Sequence, residues 1–217
     1  PLFQKNKIDI SSIRKMYNLD KNKKTILFAP TFYPSSVEPI GKRLGEYTRD
    51  FNVLIKPHLW TIFLNKFAEL DHGGKRKIFN YLNRTYEHIH LIPAEEYNIT
   101  PFYRVADLLL TEASSTIYEM LACNKPVIVN RFFRLKLSHR IFRYRLYKKR
   151  LSQKMESDIS SFCFEAKKPS ELPKTFVNAI KKSKSKNPVF KINQEKMLYK
   201  LDGLASERAK VEILNRL

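Results

Sequence analysis

Residues 106–130 constrain the fold of this chain most, because they read as a strand, a polar turn, a helix and a second strand in immediate succession. A short apolar run at residues 108–110 leads into small polar residues up to Thr116, and a helical pattern then precedes a second apolar run at residues 127–129. Two parallel strands need a crossover of this kind. In open α/β sheets, phosphorylated ligands bind where a strand's carboxyl end turns into a helix. The stretch therefore predicts a parallel α/β sheet with a ligand-binding turn at residues 111–116.

Strands alternate with helical patterns along the rest of the chain, which is typical of a doubly wound α/β domain. The strands are apolar throughout, as expected when helices cover both faces of a sheet. We predict one domain over residues 1–217, with a lead-in helix and turn at residues 1–24 and a helical segment at residues 187–217. Further strands are predicted at residues 25–29, 51–55, 89–92 and 162–164, and helices at residues 8–20, 40–48, 60–70, 75–84, 99–105, 132–151, 172–181 and 205–217.

Several classes of site have no support in the sequence. The chain has two cysteines without metal-ligand spacing, so no metal site is predicted, and a reducing cytoplasm is the simplest compartment. It has only five glycines and neither a G-x-G-x-x-G nor a Walker pattern, which argues against a standard dinucleotide or P-loop site. No apolar run approaches the roughly 20 residues of a membrane span, and no signal-peptide core is present. A start without methionine suggests a fragment of a longer chain.

The turn after the fourth predicted strand carries Ser114, Ser115 and Thr116, whose hydroxyls lie where the next helix exposes unpaired backbone N–H groups. Such a turn could hold a diphosphate. Glu119 lies one helical turn further on and could accept hydrogen bonds from ribose hydroxyls. A second interpretation has equal weight: Thr116 and Glu119 also match a capping box, which needs no ligand.

Two other loops are expected at the same sheet edge. Lys56, Pro57 and His58 follow an apolar strand, and Thr31 follows another. Lys56 could neutralise a phosphate, and His58 could act as an acid or as a donor to a phosphate because the histidine pKa lies near neutrality. An ordinary surface loop is the alternative. The convergence of these loops with the serine turn favours a binding site.

The chain has 41 Lys and Arg against 21 Asp and Glu, which gives a formal net charge of +20. Ten of these cations and no acid lie in residues 131–154, where apolar residues recur at helical spacing. A helix of this kind can lie on an anionic membrane, or pack its apolar face on the sheet and leave its cations solvated. Nucleic acid would need the same charges, but no nucleic-acid motif is present. The candidate membrane-facing cations are Arg134, Lys136, Arg140, Arg143 and Lys148.

Five blocks follow one another along the chain, beginning with residues 25–32 (T-I-L-F-A-P-T-F) and residues 56–58 (K-P-H). The first resembles the I-L-Y-A-P-T-[FW] strand of the CDP-glycerol glycerophosphotransferase family, the teichoic-acid primases and polymerases, and the second resembles that family's K-x-H-P loop. Residues 106–115 (A-D-L-L-L-T-E-A-S-S) resemble its a-D-x-L-I-T-D-Y-S-S motif, and residues 124–128 the following n-K-P-V-I strand. Residues 202–208 (D-G-L-A-S-E-R) are similar to its D-G-x-A-S-x-R segment. Together the blocks cover nearly the whole chain.

The resemblance implies the C-terminal, donor-binding half of a GT-B fold, with a Rossmann-like sheet and an N-terminal acceptor domain elsewhere. Carried over residue by residue, it implies that Ser114 and Ser115 hold the donor diphosphate, that His58 assists at the phosphates and that Lys56 supports it electrostatically. It also implies a cytoplasmic enzyme attached peripherally to the inner face of the membrane. The expected partners are a nucleotide-linked donor, a polymer acceptor and an anionic lipid surface, with no specific nucleic acid and no cofactor.

Three departures from the family pattern leave the donor open. Leu59 replaces the proline after the loop histidine, and Glu112 and Ala113 replace Asp-Tyr before the serines. The expected function is donor binding in a glycerophosphate transferase of the cell envelope. The alternatives are a GT-B glycosyltransferase that uses a UDP- or CMP-type sugar nucleotide, and a basic α/β module that binds nucleic acid or membrane without catalysis. CDP-glycerol, CDP-ribitol and sugar nucleotides all stay open as donors.

Overall fold

Six parallel strands form the centre of the molecule, in a computed structural model that describes residues 9–63, 72–149, 152–183 and 188–216. The spatial order of the strands is β3-β2-β1-β4-β5-β6, and every neighbouring pair is parallel. This order is that of a Rossmann sheet, and the predicted α/β class is confirmed. The strands are β1 (Lys24–Phe28), β2 (Phe51–Ile55), β3 (Ile89–Leu91), β4 (Leu108–Thr111), β5 (Val127–Asn130) and β6 (Phe164–Ala166).

Helices connect the strands, as the alternating sequence pattern predicts. The first, Ile10–Met16, begins where the Asp9 carboxylate accepts the backbone N–H groups of Ser11 and Ser12. The helices are α1 (Ile10–Met16), α2 (Val37–Ile40), α3 (Leu44–Tyr47), α4 (Leu59–Phe63), α5 (His72–Thr85), α6 (Thr100–Val105), α7 (Thr116–Ala122), α8 (Leu137–Ile141), α9 (Arg143–Lys149), α10 (Gln153–Ser160), α11 (Leu172–Ser183), α12 (Pro188–Leu198) and α13 (Ala205–Leu214), and short 3₁₀ helices span Gly41–Arg43 and Pro169–Glu171.

Both faces of the sheet are covered, because successive residues of each strand point to opposite sides. Leu27 of β1 belongs to one core with side chains of α6, α7, α10 and α12. Its neighbours Ile26 and Phe28 belong to a second core with α2, α3, α5 and α11. Every strand residue of β4 and β5 is buried. Uniformly apolar strands therefore follow directly from a sheet with two buried faces.

Two charged side chains, Lys125 and Asp107, fix the entry to β4. The ammonium of Lys125 donates to the carbonyls of Tyr103, Arg104 and Ala106 at 2.9, 2.8 and 2.6 Å, and so closes the carboxyl end of α6. The carboxylate of Asp107 accepts the Lys24 ammonium at 2.7 Å and the backbone N–H of Thr25 at 2.8 Å. These contacts hold β1 and β4 side by side at their amino ends.

Some predicted helices differ from the observed ones. The long basic helix predicted at residues 132–151 is wrong: it is two short helices, α8 and α9, separated at Phe142 with φ −108° and ψ 71°. Residues before α8 are extended, and Arg134 forms an antiparallel bridge with Ser35. The region predicted as one helix at residues 40–48 divides at Gly41, whose φ of +57° favours glycine.

The helix predicted at residues 75–84 begins earlier than expected, at His72, so that Gly73 and Gly74 lie in the first turn of α5. A helix tolerates glycine at its start more readily than in its interior. Residues 64–70 of the helix predicted at residues 60–70 lie outside the described residues. The helix α10 was not predicted from the sequence. Ser152 is its N-cap residue, and the Ser152 hydroxyl accepts the backbone N–H of Met155 at 3.2 Å.

Candidate functional site

A cavity of about 490 Å³ opens at the carboxyl ends of the central strands. Loops that follow β1, β2, β3 and β4 line it. The strand order reverses direction between β1 and β4, and ligands of open α/β sheets bind at such a switch point. Six of the residues predicted from the sequence to form a donor site lie in this one cavity: Thr31, Lys56, His58, Ser114, Ser115 and Thr116.

Glu119 does not line this cavity. It is half-buried on α7 and lies beside the buried hydroxyl of Tyr103, whose pKa is raised by burial and by this carboxylate. The capping box is not formed either, since Ser115 occupies the N-cap position and no side chain caps the helix there. The capping-box interpretation of Glu119 is therefore not supported, and its contact with a ribose stays a prediction.

The serine turn presents a connected set of hydroxyl groups. The Thr111 hydroxyl donates to the carbonyl of Ala29 at 2.7 Å and lies 3.4 Å from the Ser114 hydroxyl. The Ser114 hydroxyl in turn lies 2.5 Å from that of Thr116. Ser115 is exposed at the cavity wall. A hydroxyl can donate or accept, so the turn can reorient its hydrogen bonds toward an anionic ligand.

Lys56 brings a positive charge to the same wall. Its side chain is only 5% exposed, and among the described residues its ammonium has no hydrogen-bond partner. Burial lowers the pKa of Lys56, and the nearby Glu96 carboxylate opposes this shift. The residue as a whole is thus nearly buried, while its ammonium is open to the cavity. An anion bound in the cavity would supply the missing charge and hydrogen bonds.

His58 lies at the cavity wall next to Lys56. His58 is exposed at this wall, and the partial burial of its ring, followed by the charge of Lys56, lowers its pKa. The ring packs against Phe32 and Trp60, with centroid separations of 5.2 and 5.7 Å. Its Nδ1 atom accepts the backbone N–H of Trp60 at 3.1 Å.

Glu112 shapes the cavity, and sequence reasoning assigned it no role beyond a departure from the family pattern. Its carboxylate is 1% exposed and accepts the backbone N–H groups of Thr31 at 2.6 Å and Ser36 at 2.7 Å, as well as the Ser36 hydroxyl. Asn130 donates to that hydroxyl at 2.8 Å. Burial raises the pKa of Glu112, and the hydrogen bonds oppose the rise. The sequence feature that could have indicated this role is an acidic residue directly after a buried strand.

The carboxylate of Glu112 thereby fixes the loop that carries Thr31. The Thr31 hydroxyl donates to the carbonyl of Pro34, so it forms a hydrogen bond within the loop. From the other side, the buried ammonium of Lys75 donates to the carbonyl of Phe32 at 2.6 Å. The loop after β1 is therefore held by charged groups from β4 and from α5.

Aromatic side chains form the mouth of the cavity, and no sequence pattern predicted them. Trp60 is 50% exposed and Tyr97 is 65% exposed, and both line the cavity. Phe32 packs against Trp60 with a centroid separation of 4.9 Å. The mouth is thus aromatic, while the ammonium and hydroxyl groups lie on the wall formed by β2, β4 and their loops.

The basic segment, residues 131–154, contacts the same cavity wall through Tyr33. The Tyr33 hydroxyl lies 2.6 Å from Nδ1 of His139 and accepts the backbone N–H of Lys136 at 3.3 Å. Leu146 of α9 is buried against Tyr33. The predicted surface cations Arg134, Arg140, Arg143 and Lys148 are exposed, and Lys136 is half-buried.

Within the described ranges, no group of three or more His, Cys, Asp or Glu side chains could hold a metal ion. None of the helices described is long and apolar enough to cross a membrane. Both cysteines, Cys123 and Cys163, are free thiols, and burial raises the pKa of each.

A family model described as CDP-glycerol:poly(glycerophosphate) glycerophosphotransferase matches residues 1–210. The chain belongs to this family. The resemblance inferred from the five sequence blocks is therefore confirmed. No curated protein matches the chain significantly.

Solved structures with the same fold include the wall teichoic acid polymerase TagF, at 19% sequence identity and a TM-score of 0.60 over 95% of this chain and 47% of TagF. A TagF structure soaked with CDPG matches at 19% identity and a TM-score of 0.58, over 95% of this chain and 45% of TagF. A putative UDP-N-acetylglucosamine 2-epimerase from Listeria monocytogenes matches at 17% identity and a TM-score of 0.58, over 99% of this chain and half (50%) of the epimerase. The GT-B-like architecture is thus confirmed, and the chain spans about half the length of these relatives.

Proposed function

We propose that this chain is the donor-nucleotide-binding domain of a cell-envelope polymer transferase that moves glycerophosphate from CDP-glycerol to a polymer hydroxyl. Membership of the glycerophosphotransferase family supports this class of donor and acceptor. The cavity at the switch point of the sheet is the proposed donor site. Its polar wall would hold the diphosphate and its aromatic mouth would contact the rest of the donor.

The observation that carries this proposal is the ammonium of Lys56, which a nearly buried residue presents to the cavity. It lines the same cavity as the hydroxyls of Ser114, Ser115 and Thr116 and has no hydrogen-bond partner among the described residues. A diphosphate brings the negative charge that this ammonium lacks, and its oxygens accept from hydroxyls. The cavity therefore suits an anionic ligand better than a neutral one.

In the proposed reaction, the oxygen of an acceptor hydroxyl forms a bond to the glycerol-bearing phosphorus. The bond from that phosphorus to the oxygen of the nucleoside monophosphate breaks, and its electron pair stays on the leaving phosphate. The hydroxyl proton passes to solvent. Lys56 and the serine turn would stabilise the charge that collects on the leaving group, which is electrostatic catalysis by fixed groups.

The acceptor half of the enzyme is proposed to lie in a separate N-terminal domain. Relatives of the same fold are about twice as long as this chain. The isolated domain should accordingly bind the donor but transfer glycerophosphate poorly. Activity is expected only when an acceptor domain completes the cleft.

Calorimetric titration tests the donor site. We expect CDP and CDP-glycerol to bind the chain more tightly than CMP, because the second phosphate contacts Lys56. The Ser114→Ala/Ser115→Ala variant should weaken CDP binding about 100-fold or more, as expected for the loss of two hydrogen bonds to a charged group at about 1.5 kcal/mol or more each. The matched control is Ser157→Ala/Ser160→Ala on α10, outside the cavity, which should bind as the parent does.

Other outcomes of this titration select the alternatives. Tighter binding of a UDP- or CMP-linked sugar than of CDP-glycerol would indicate a GT-B glycosyltransferase. Equal, weak binding of all nucleotides, together with steeply salt-dependent binding of RNA, would indicate a nucleic-acid module. If the double variant bound CDP as tightly as the parent, the assignment of the serine turn would be wrong.

We further propose that the basic segment docks on an anionic lipid surface at the inner face of the membrane. Large apolar side chains are exposed there among the cations: Leu137 is 69% exposed, Ile141 64% and Tyr144 62%. Exposed apolar residues interspersed with Lys and Arg suit the boundary between headgroups and acyl chains. Charge attraction to acidic lipid adds about 1 kcal/mol for each cation near the surface.

Flotation with vesicles tests this docking. Anionic vesicles should carry the protein and neutral vesicles should not. The Arg140→Glu/Arg143→Glu/Lys148→Glu variant should stay unbound. Its control changes the net charge equally at exposed positions on α5 and α11, as Lys77→Glu/Arg84→Glu/Lys174→Glu, and should still float. Equal loss in both variants would mean that only the total charge matters.

A further inference from the structure

The basic segment and the wall of the cavity share one small core. Six side chains form it: Phe32, Tyr33, Ala113, Leu135, Leu146 and Tyr147. The first three line the cavity, and the last three belong to the basic segment. The side chains that shape this wall are therefore held from behind by the segment proposed to dock on lipid.

Backbone hydrogen bonds join the same two parts of the molecule. The N–H of Arg134 donates to the carbonyl of Ser35 at 3.3 Å, and the N–H of Lys136 donates to the Tyr33 hydroxyl at 3.3 Å. The same hydroxyl lies 2.6 Å from Nδ1 of His139. The loop after β1, to which Ser35 and Tyr33 belong, is also held by charged groups from β4 and from α5. The basic segment thus gives this loop a third support.

The basic segment is itself only lightly buried. Among residues 131–148, for which burial is described, Leu146 is the only buried side chain. The helices α8 and α9 have five and seven residues, and helices of this length are marginal without packing. A stretch with few buried apolar contacts opens locally at a low cost in free energy. Whenever it opens, Tyr33 loses the contacts behind it and the cavity wall loses its shape.

Lipid and the cavity use different side chains of the segment. Leu137, Ile141 and Tyr144 are exposed, whereas Leu146 packs against Tyr33. The segment can therefore contact a membrane without releasing the cavity wall. In this packed arrangement the exposed residues already have fixed positions, so lipid has to order fewer side chains than in an opened segment. A ligand that prefers one arrangement shifts the molecule toward it.

We propose that an anionic lipid surface activates the nucleotide site: lipid bound to the basic segment holds Tyr33 and the cavity wall in place and so raises the affinity for nucleotide. This regulation rests on the proposed function of the cavity and on the proposed docking. Coupling between two binding sites is reciprocal, so nucleotide raises the affinity for lipid by the same factor. We expect a factor of about five or more, which is the lower end of the usual range for coupled sites.

Calorimetry and flotation measure this factor independently. CDP is titrated into the chain alone, with neutral vesicles, and with anionic vesicles at a lipid concentration that binds all of the protein. Anionic vesicles should raise the CDP affinity at least about fivefold, and neutral vesicles should leave it unchanged. In flotation, saturating CDP should lower the concentration of anionic lipid that carries half of the protein by the same factor.

Two variants break the connection from the side of the basic segment. His139→Ala/Leu146→Ala removes two contacts with Tyr33 and leaves the exposed cations in place. It should still float with anionic vesicles, but its CDP affinity should be the same with and without them. His139→Ala alone keeps Leu146 and should give an intermediate factor. Ser138→Ala, at the exposed neighbour of His139 on α8, is the matched control and should keep the full factor.

The variant Arg140→Glu/Arg143→Glu/Lys148→Glu controls for effects of the vesicles on the titration itself, since it should give one CDP affinity under all conditions. The inference is overturned if anionic vesicles leave the CDP affinity of the parent unchanged or lower it, if the two factors differ, or if His139→Ala/Leu146→Ala keeps the full factor. Absence of CDP binding with and without lipid would reject the proposed function as well. Absence of vesicle binding would reject the docking, whereas binding of both ligands without mutual effect rejects only their coupling.

Discussion

Glu112 is a charged residue in a position where charge is costly. Its carboxylate is fully enclosed between β4 and the loop after β1, and it accepts three hydrogen bonds there. A buried charge is tolerated only when it is well paired. The hydrogen bonds fix Thr31 and Ser36, so the shape of the cavity depends on a residue whose protonation state is sensitive to its surroundings.

Replacement of this acid by its amide should change how stability depends on pH. Because burial raises the pKa of Glu112, the native state binds a proton more tightly than the unfolded state does. The stability from this group is complete below the ordinary carboxyl pKa and is lost as pH rises through the raised one. The unfolding free energy of the parent relative to Glu112→Gln should therefore fall as the pH rises from about 4, the ordinary carboxyl pKa, to neutrality. Urea unfolding across this range measures the difference.

A matched variant separates titration from hydrogen bonding. Ser36→Ala removes one donor to the carboxylate but keeps the titrating group. It should lower the unfolding free energy by about 1 kcal/mol and leave the pH dependence in place. Parallel stability curves for the parent and Glu112→Gln would show that the pKa of Glu112 is the same in the folded and unfolded states, against the shift expected from its burial.

At the scale of elements, apolar runs between helical patterns were sufficient to predict all six strands. Each observed strand end lies within two residues of the predicted one. Every strand residue of β4 and β5 is buried, as expected for continuous apolar runs in a globular domain. Local sequence failed where tertiary contacts decide. In the basic segment, Leu146 packs against Tyr33 while Leu137 and Ile141 are exposed, so its apolar residues do not form one stripe. A helical spacing alone could not distinguish two short helices from a long one.

The contact between Tyr33 and His139 should restrain this segment. Tyr33→Phe removes the hydroxyl that lies 2.6 Å from His139 and accepts the N–H of Lys136. We expect the unfolding free energy to fall by about 1 kcal/mol and backbone hydrogen exchange in residues 136–149 to accelerate. Tyr47→Phe is the control, since the structure gives the hydroxyl of Tyr47 no hydrogen bond among the described residues. Unchanged exchange in residues 136–149 would mean that the basic segment is held by packing alone.

For the whole molecule, the parallel sheet explains why distant loops form one cavity. Residues 31, 56–58 and 114–116 follow different strands, and the carboxyl ends of parallel strands meet at one edge. Their convergence was predictable from the alternation of strands and helices. The direction of Glu119 was not, because its side chain lies beside Tyr103, whose burial depends on packing between α6 and α7. The spacing of residues along a helix predicts on which face a residue lies, but not which side chain of another element it contacts.

Charge acts at two places in this molecule, and salt should separate them. The proposed lipid surface uses exposed cations of the basic segment, whereas the proposed nucleotide site uses Lys56, a residue that is only 5% exposed. Raising salt from about 0.1 M to about 1 M shortens the screening length from about 10 Å to about 3 Å, and buried charges are screened much less. Anionic vesicles should therefore release the protein, while CDP affinity in calorimetry falls far less.

The Lys56→Met variant gives the reverse pattern in the same experiment. This variant should lose CDP binding at every salt concentration and still float with anionic vesicles at low salt. The cation that it removes lies in the cavity and not in the basic segment. If CDP affinity in the parent fell in step with vesicle binding as salt rises, surface cations would be holding the nucleotide. Lys56 and the serine turn would then have been assigned the wrong ligand, since a site enclosed between β1, β2 and β4 cannot share the salt dependence of an exposed surface.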